Sequence, residues 1–343
     1  MKRRDFLAAS LLAPLATGGP ATSGTAEHDT PLVGPPFSNR SRAQSDPYAL
    51  VLGTAQDAGV PQVGCYTERC ERGREAHLRG EGRYVASLAL VEPERESFYL
   101  VDATPDITRQ TDLIVEPSFR ARAAVRRPFD GIFLTHAHIG HYLGLAHLGN
   151  EGMGVSEVPV YCTASMARFL DTNEPWSHMI GQGRIVPTAL DTEVWHRIDD
   201  WLEVKLWQVP HRDEFSDTAA FLFRGPSATL LYLPDIDSWT AWSSWDGVRR
   251  DVAEAVTEAD VALLDASFWS ADELPGRAVE DIPHPLVLDS MDRLQAVVDS
   301  GAAQVVFTHL NNSNPALDED GPEQAEIVRR GFATAREGDR FPL

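Results

Sequence analysis

Five apolar runs in this 343-residue chain stop at a residue able to bind a metal ion or move a proton. "FYLVD" ends in Asp102, "GIFLTH" in His136, "LWQVPH" in His211, "LLYLPD" in Asp235 and "VVFTH" in His309. Apolar runs of this length, rich in Val, Leu and Phe, read as buried strands. Strand ends in layered α/β sheets converge on one rim, where ligands bind. Taken singly, each residue reads as a turn-forming aspartate or a histidine satisfied at a loop. Five together point to one shared site.

The second of these runs continues as "GIFLTHAHIGHYLGL" (131–145), which places His136, His138 and His141 within six positions. Neutral imidazole is the commonest protein ligand for zinc and also suits iron, copper and nickel. His136 and His138 are two apart just past a strand, so extended backbone points them to the same side. His141 opens the next helix and approaches from another direction. His284, in "EDIPHPLVLDSM", precedes a helix expected near 286–299. His28, His147, His178 and His196 show no pattern beyond surface or core roles. Asp57, Asp237 and Asp265 lie beside strand ends, where a turn or cap role is the default and support of metal ligands the alternative. Trp207, Trp239 and Trp269 read as core by default, with lining a pocket as the alternative.

Further strands are expected in "YALVLGT", "YVASLALVE", "SFYLVDA", "VPVYC", "TAAFLFRG" and "DVALLD", with helices near 105–114, 141–148, 164–171, 246–258, 286–299 and 322–332. Strands clustered early and interleaved with helices later describe a layered α/β domain over 47–343. Residues 27–46, polar and rich in Pro and Ser, read as a linker. Ahead of them, "MKRRDFLAASLLAPLATGG" joins paired arginines to an apolar stretch too short to span a bilayer. "GTA" at 24–26 offers a small-residue cleavage site. Residues 1–26 are therefore expected to be a twin-arginine-type signal peptide, engaging the export machinery and placing the mature chain in the periplasm or cell envelope without an integral membrane segment.

Hydrophobic residues make up 43 % of the chain, enough for a sizeable core, and the formal net charge is −21. Such a charge repels phosphate backbones and anionic lipid, so a nucleic-acid partner is excluded and a small-molecule substrate expected. Lysine occurs only at Lys2 and Lys205, which leaves Schiff-base chemistry almost no candidate. Three cysteines are too few for a disulfide framework. Cys65 and Cys70 can close one small disulfide or share a structural zinc, while Cys162 reads as a buried strand residue.

"THAHIGHYLGL" resembles the His-x-His-x-Asp-His motif of the metallo-β-lactamase superfamily, and His211, Asp235 and His309 follow in the order of its later ligands. Asp102 matches that superfamily's buried aspartate after an early strand, usually an orienting residue. "LGTAQDAGVPQVGC", "FYLVDATPDITRQ", "DVALLDASFWSADELPGR" and "FTHLNNSNPALDEDGPEQAEI" resemble the pyrroloquinoline quinone (PQQ) biosynthesis protein B family, from about residue 48 to 335. The resemblance implies an αββα sandwich, two mixed β-sheets flanked by helices. It implies one metal held by His136, His138 and His211, and a second held by His141 and His309 with Asp235 bridging. Zinc, one or two ions, is the expected cofactor, with iron or manganese as alternatives. Asp102 and His284 are the expected catalytic residues, the latter as proton donor to a leaving group.

Two departures stand out. The family's Cys-x-Cys-x-x-Cys knuckle has Thr67 at its middle position, which leaves a disulfide or a weak two-thiolate site, to which His77 is a candidate addition. Gly140 stands where the motif has an acid, so the second position is short of a carboxylate and Gly140→Asp is expected to tighten it. The remaining two histidines and one carboxylate match the facial triad of non-haem iron oxygenases. The resulting expectation is an exported metal-dependent hydrolase acting on an ester, amide, lactone or phosphoester through metal-activated water. The alternatives are an iron- and oxygen-dependent hydroxylase or accessory protein in PQQ biosynthesis or transport, and a non-catalytic carrier of a small molecule.

Overall fold

Apolar runs with no polar alternation need cover on both faces, and the fold supplies it with two stacked sheets and helices outside each. The computed structural model describes residues 46–273, 276 and 283–343; the expected signal peptide and all but the last residue of the expected linker lie outside them. The strands are β1 (Tyr48–Gly53), β2 (Ser87–Glu92), β3 (Ser97–Val101), β4 (Gly131–Phe133), β5 (Val158–Cys162), β6 (Ile185–Ala189), β7 (Trp195–Arg197), β8 (Glu203–Val209), β9 (Thr218–Arg224), β10 (Thr229–Leu233), β11 (Val261–Asp265), β12 (Gln304–Thr308), β13 (Ala333–Thr334) and β14 (Arg340–Pro342). They form two seven-stranded sheets, ordered β14-β1-β2-β3-β4-β5-β6 and β13-β12-β11-β10-β9-β8-β7. In the first, β14 to β3 pair antiparallel and β3 to β6 parallel. In the second, β7 to β10 pair antiparallel and β10 to β13 parallel.

Alternate residues of each strand serve different layers. Ala49 and Val51 of β1 face the second sheet, in a shared core with Val204, Leu206, Phe221, Phe223 and Leu263. Tyr48, Leu50 and Leu52 face the other way, onto Phe119, Met166 and Leu170 from helices outside the first sheet. Leu231 and Leu233 of β10 likewise turn outward onto Met291, Leu294 and Val297 of helix Val287–Ser300. The result is the expected αββα sandwich.

Every strand read from an apolar run is present. The four that carry no such run, β6, β7, β13 and β14, are the four sheet edges. Edge strands are short and partly exposed, so they need no apolar period. Helix Glu68–Arg79 escapes the same reading because it buries only Cys70. Its start explains Thr67: the threonine is the N-cap, its side chain accepting from the Cys70 amide, while Cys65 and Cys70 form a disulfide. The helix expected at 141–148 is a four-residue α-turn, Ile139–Tyr142, followed by a 3-10 segment, Leu143–Leu148. The helix expected at 246–258 shortens to Val252–Val256. Cys162, Trp207 and Trp239 are core residues. Among the described residues, no helix is long and apolar enough to cross a membrane.

Phe133 joins the sheets. Its ring stacks on Tyr161 at 5.0 Å and meets Phe221 and Phe223 edge-on at 5.6 and 5.0 Å. Phe133→Ala opens a cavity among these rings and is expected to destabilise the fold by about 3–5 kcal/mol, read as a lowered denaturant midpoint in equilibrium unfolding.

Candidate metal centre

Strand direction decides which residues meet. β1 and β3 both pair antiparallel with β2, so they run the same way, and β4 runs parallel to β3. In the second sheet β8 and β10 both oppose β9, while β11 and β12 run with β10. The residues that close these strands meet at one rim: Asp57 follows β1, Asp102 β3, His136 β4, His211 β8, Asp235 β10 and His309 β12, while Asp265 ends β11. The six expected ligands converge, in two groups.

The first group is His136, His138 and His211. His136 Nε2 and His138 Nδ1 are 2.8 Å apart. The other nitrogen of each ring is engaged, His136 Nδ1 by Thr135 Oγ1 at 3.0 Å and His138 Nε2 by Glu214 Oε2 at 3.0 Å. Engagement of one ring nitrogen as donor leaves the other with a lone pair. Two lone pairs this close repel unless a cation lies between them. His211 Nε2 is buried without a hydrogen-bond partner, and Asp237 Oδ1 stands 3.2 Å from its Nδ1.

The second group is Asp57, His141, Asp235 and His309. Asp235 Oδ2 lies 2.9 Å from His141 Nε2 and 3.1 Å from His309 Nε2, and Asp57 Oδ1 lies 3.1 Å from His141 Nε2. None of these four atoms has a well-formed hydrogen bond, though all are buried. Asp235 also faces the first group, with Oδ1 3.6 Å from His211 Nε2 and Oδ2 3.7 Å from His136 Nε2. Orphaned buried nitrogens and carboxylate oxygens aimed at common points are costly in protein alone, and they are the donor types that zinc, iron and manganese take. The residues present therefore fit a metal ion in each group. The second group extends one expectation and corrects another. Asp57 does sit in a turn after β1, its default reading, but it also aims its carboxylate into this group, and the donors brought together are two histidines and two carboxylates rather than the two and one of a facial triad.

Asp265, His284, His309 and Asp235 also cluster, but as a hydrogen-bonded network. Asp265 accepts from the Ile236 and Ser267 amides, from Ser267 Oγ at 2.8 Å and from His284 Nδ1 at 2.8 Å. Ser267 Oγ also lies 3.0 Å from His309 Nδ1. Thr135 mirrors it in the first sheet: its Oγ1 lies 3.0 Å from both Asp102 carboxylate oxygens and from His136 Nδ1. Asp102 accepts from His141 Nδ1 at 2.7 Å and is fully buried. Its oxygens are used up in this way, so Asp102 is a positioning residue, a correction to its expected catalytic role. Sequence reading missed Thr135, Ser267 and Glu214 altogether; the place of Thr135 beside His136 and of Ser267 two residues past Asp265 is the only trace they leave there.

Burial disfavours charge on His136 and pushes its pKa well below the usual imidazole range. Burial opposes ionisation of Asp235 too, yet His309, His141, His211 and His136 outweigh it and hold the carboxyl well below its ordinary value. A neutral His136 and an ionised Asp235 are ready to bind metal, whereas His141, where burial is outweighed by Asp102, Asp235 and Asp57 and the pKa lies well above the usual imidazole range, has to give up a proton to do so. Replacing His136 and His138 together with alanine is expected to remove the metal of the first group. Asp102→Asn, which keeps size but frees the His141 ring, is expected to weaken metal binding about 10–100-fold. Elemental analysis and competition with a chromophoric chelator check both.

The model of the Beta-lactamase superfamily domain matches residues 98–310. Coenzyme PQQ synthesis protein B of Pseudomonas entomophila is 29% identical over 309 residues, covering 86% of this chain and 100% of that protein. Among solved structures, Zn(2+)-bound PqqB from Methylobacterium extorquens superposes with a TM-score of 0.69 at 22% identity, over 86% of this chain and 100% of that one. A diphosphatase from the PhnP family superposes with a TM-score of 0.56 at 19% identity, over 87% and 97%. At these identities the superpositions speak for the fold, and the family match speaks for descent: the chain belongs to the beta-lactamase superfamily and is similar to coenzyme PQQ synthesis protein B.

Proposed function

We propose that this protein is a metal-dependent hydrolase of a small molecule, acting on an ester, amide, lactone or phosphoester. The observation that carries the proposal is the pair of ligand groups, with Asp235 of the second facing the first and a carboxylate-held histidine beside them. Divalent ions bound there would supply a Lewis acid and bring the pKa of water toward neutrality. His136, His138 and His211 would hold one ion, and Asp57, His141, Asp235 and His309 the other. The remaining residues place and move protons. Asp102, Thr135 and Ser267 fix the ring orientations of His141, His136 and His309. His284 uses Nδ1 on Asp265, which leaves Nε2 to hand a proton to a leaving group. Its ring centroid lies 5.5 Å from that of His211 and 5.9 Å from that of His309, close enough to share a substrate with them.

A second reading has one observation in its favour. Similarity to coenzyme PQQ synthesis protein B runs over 86% of the chain and the whole of that relative, which supports a role in making or handling that quinone or its precursor, oxygen-dependent or not. A carrier without turnover is disfavoured by the retained ligand groups, since a scaffold for a small molecule has no use for seven convergent donors.

Zinc- or manganese-loaded protein is expected to hydrolyse members of a panel of chromogenic esters, lactones and phosphodiesters, equally well without O2 and with an oxygen taken from water. Strict dependence on O2 overturns hydrolysis in favour of the quinone-linked oxygenase, and ligand binding without any turnover favours the carrier. His284→Ala is expected to lower kcat by about 10²–10⁴-fold with metal content unchanged, as for loss of a general acid. For location, we propose the periplasm or cell envelope on the strength of "KRRDFL". The Arg3→Lys/Arg4→Lys variant is expected to stay in the cytoplasmic fraction while the unaltered chain is exported; equal fractionation of the two speaks against the signal.

A further inference from the structure

Residues 57 and 140 claim one volume. A Cβ built on Gly140 would lie 2.2 Å from Asp57 Oδ1 and 2.7 Å from Asp57 Cα. The second contact is to backbone, so no rotamer of Asp57 relieves it. Any side chain at 140 must displace the turn that carries Asp57.

That turn is stitched to the segment bearing His309. Leu310 N donates to Thr54 O at 2.8 Å, Gln56 N donates to Leu310 O at 2.9 Å, and Gly59 N closes the turn on Gln56 O at 2.7 Å. The backbone that delivers Asp57 and the backbone that delivers His309 thus hold each other. At the end of this scaffold Asp57 Oδ1, His141 Nε2, Asp235 Oδ2 and His309 Nε2 sit within 4.8 Å of one another, each buried and each without a hydrogen-bond partner. The His141, Asp235 and His309 side chains are 0%, 3% and 0% exposed and that of Asp57 15%, so water has little access to the three innermost members.

We propose that Asp57 is the acidic ligand of the second metal position, delivered on the turn after β1, and that position 140 is glycine because the Asp57 carboxylate and its backbone fill the space a side chain there would need. The ligand is a second divalent transition ion, suited to a mixed set of two imidazoles and two carboxylates. This rests on the metal-centre reading proposed above. It also reverses the expectation drawn from the sequence for Gly140→Asp, since the added acid evicts the one already in place.

The test is a Zn2+ titration of the metal-stripped full-length protein against a chromophoric chelator, reading stoichiometry and the affinity of the weakest-bound equivalent. Asp57→Ala and the size-preserving Asp57→Asn are expected to weaken that equivalent more than about tenfold while the tighter one is unchanged. Gly140→Ala and Gly140→Asp are expected to weaken it as well. The double variant Asp57→Ala/Gly140→Ala is expected to lose less than the sum of the two single losses, because both changes take away the same carboxylate. Unchanged affinity in both Asp57 variants, a tighter weak equivalent in Gly140→Asp, or additive losses in the double variant each overturn the proposal. A wild-type protein that binds no zinc overturns the metal-centre reading itself, which keeps the two failures distinct.

Discussion

A carboxylate taken out of water has to be matched by positive charge or by proton donors, and five imidazoles crowd around Asp235. Its two oxygens stand 2.9 to 3.7 Å from ring nitrogens of His141, His309, His284, His211 and His136. Those rings come from both sheets, so the charge on Asp235 ties the halves of the sandwich at the rim. An unpaired buried charge costs several kcal/mol, and a buried pair compensates only if the remaining lone pairs are also satisfied. Protein atoms do not satisfy them here. The rim is better described as a cage for cations than as a set of ion pairs, and this one inference makes sense of the orphaned donors, the ring orientations and Asp57.

Two hydroxyls prepare the cage. Thr135 and Ser267 each sit between a buried aspartate and a pair of histidines, one in each sheet. Each arrangement fixes which ring nitrogen carries the proton and so which one faces the centre. The backbone contributes as well. Asp102 and His309 directly follow strands and both take positive φ, 61° in each case, a conformation uncommon outside glycine that turns each side chain abruptly off its strand. Such strain is tolerated where surrounding contacts over-determine it, as the Phe133 O to Asp102 N hydrogen bond does on one side.

How much of this can be read from residues alone depends on what each residue buries. The ten interior strands announce themselves because cover on both faces forces continuous apolar runs. The four edge strands and helix Glu68–Arg79 do not, because little of their surface is buried. The histidines were legible for a similar reason: three in six positions after a strand is a local pattern. His211, Asp235 and His309 were legible as polar stops to apolar runs. Thr135, Ser267 and Glu214 leave no such signal, since a hydroxyl or carboxylate beside a ligand looks like any loop residue until the partner is seen.

Local pattern thus pointed to a layered α/β domain and six candidate ligands, since each is carried by residues along one strand and the turn that follows, while resemblance to the metallo-β-lactamase motif supplied the sandwich and the oddity at Gly140. Only tertiary structure decided what replaces the missing acid. Asp57 lies 83 positions before Gly140 in sequence. It arrives because β1 and β3 flank a common antiparallel neighbour and so end at the same rim, and because hydrogen bonds to Leu310 pin the turn that carries it. Strand direction and long-range backbone pairing are properties of the assembled sheet, invisible in a single run of residues, and they turn a site that reads as one carboxylate short into one with its full complement.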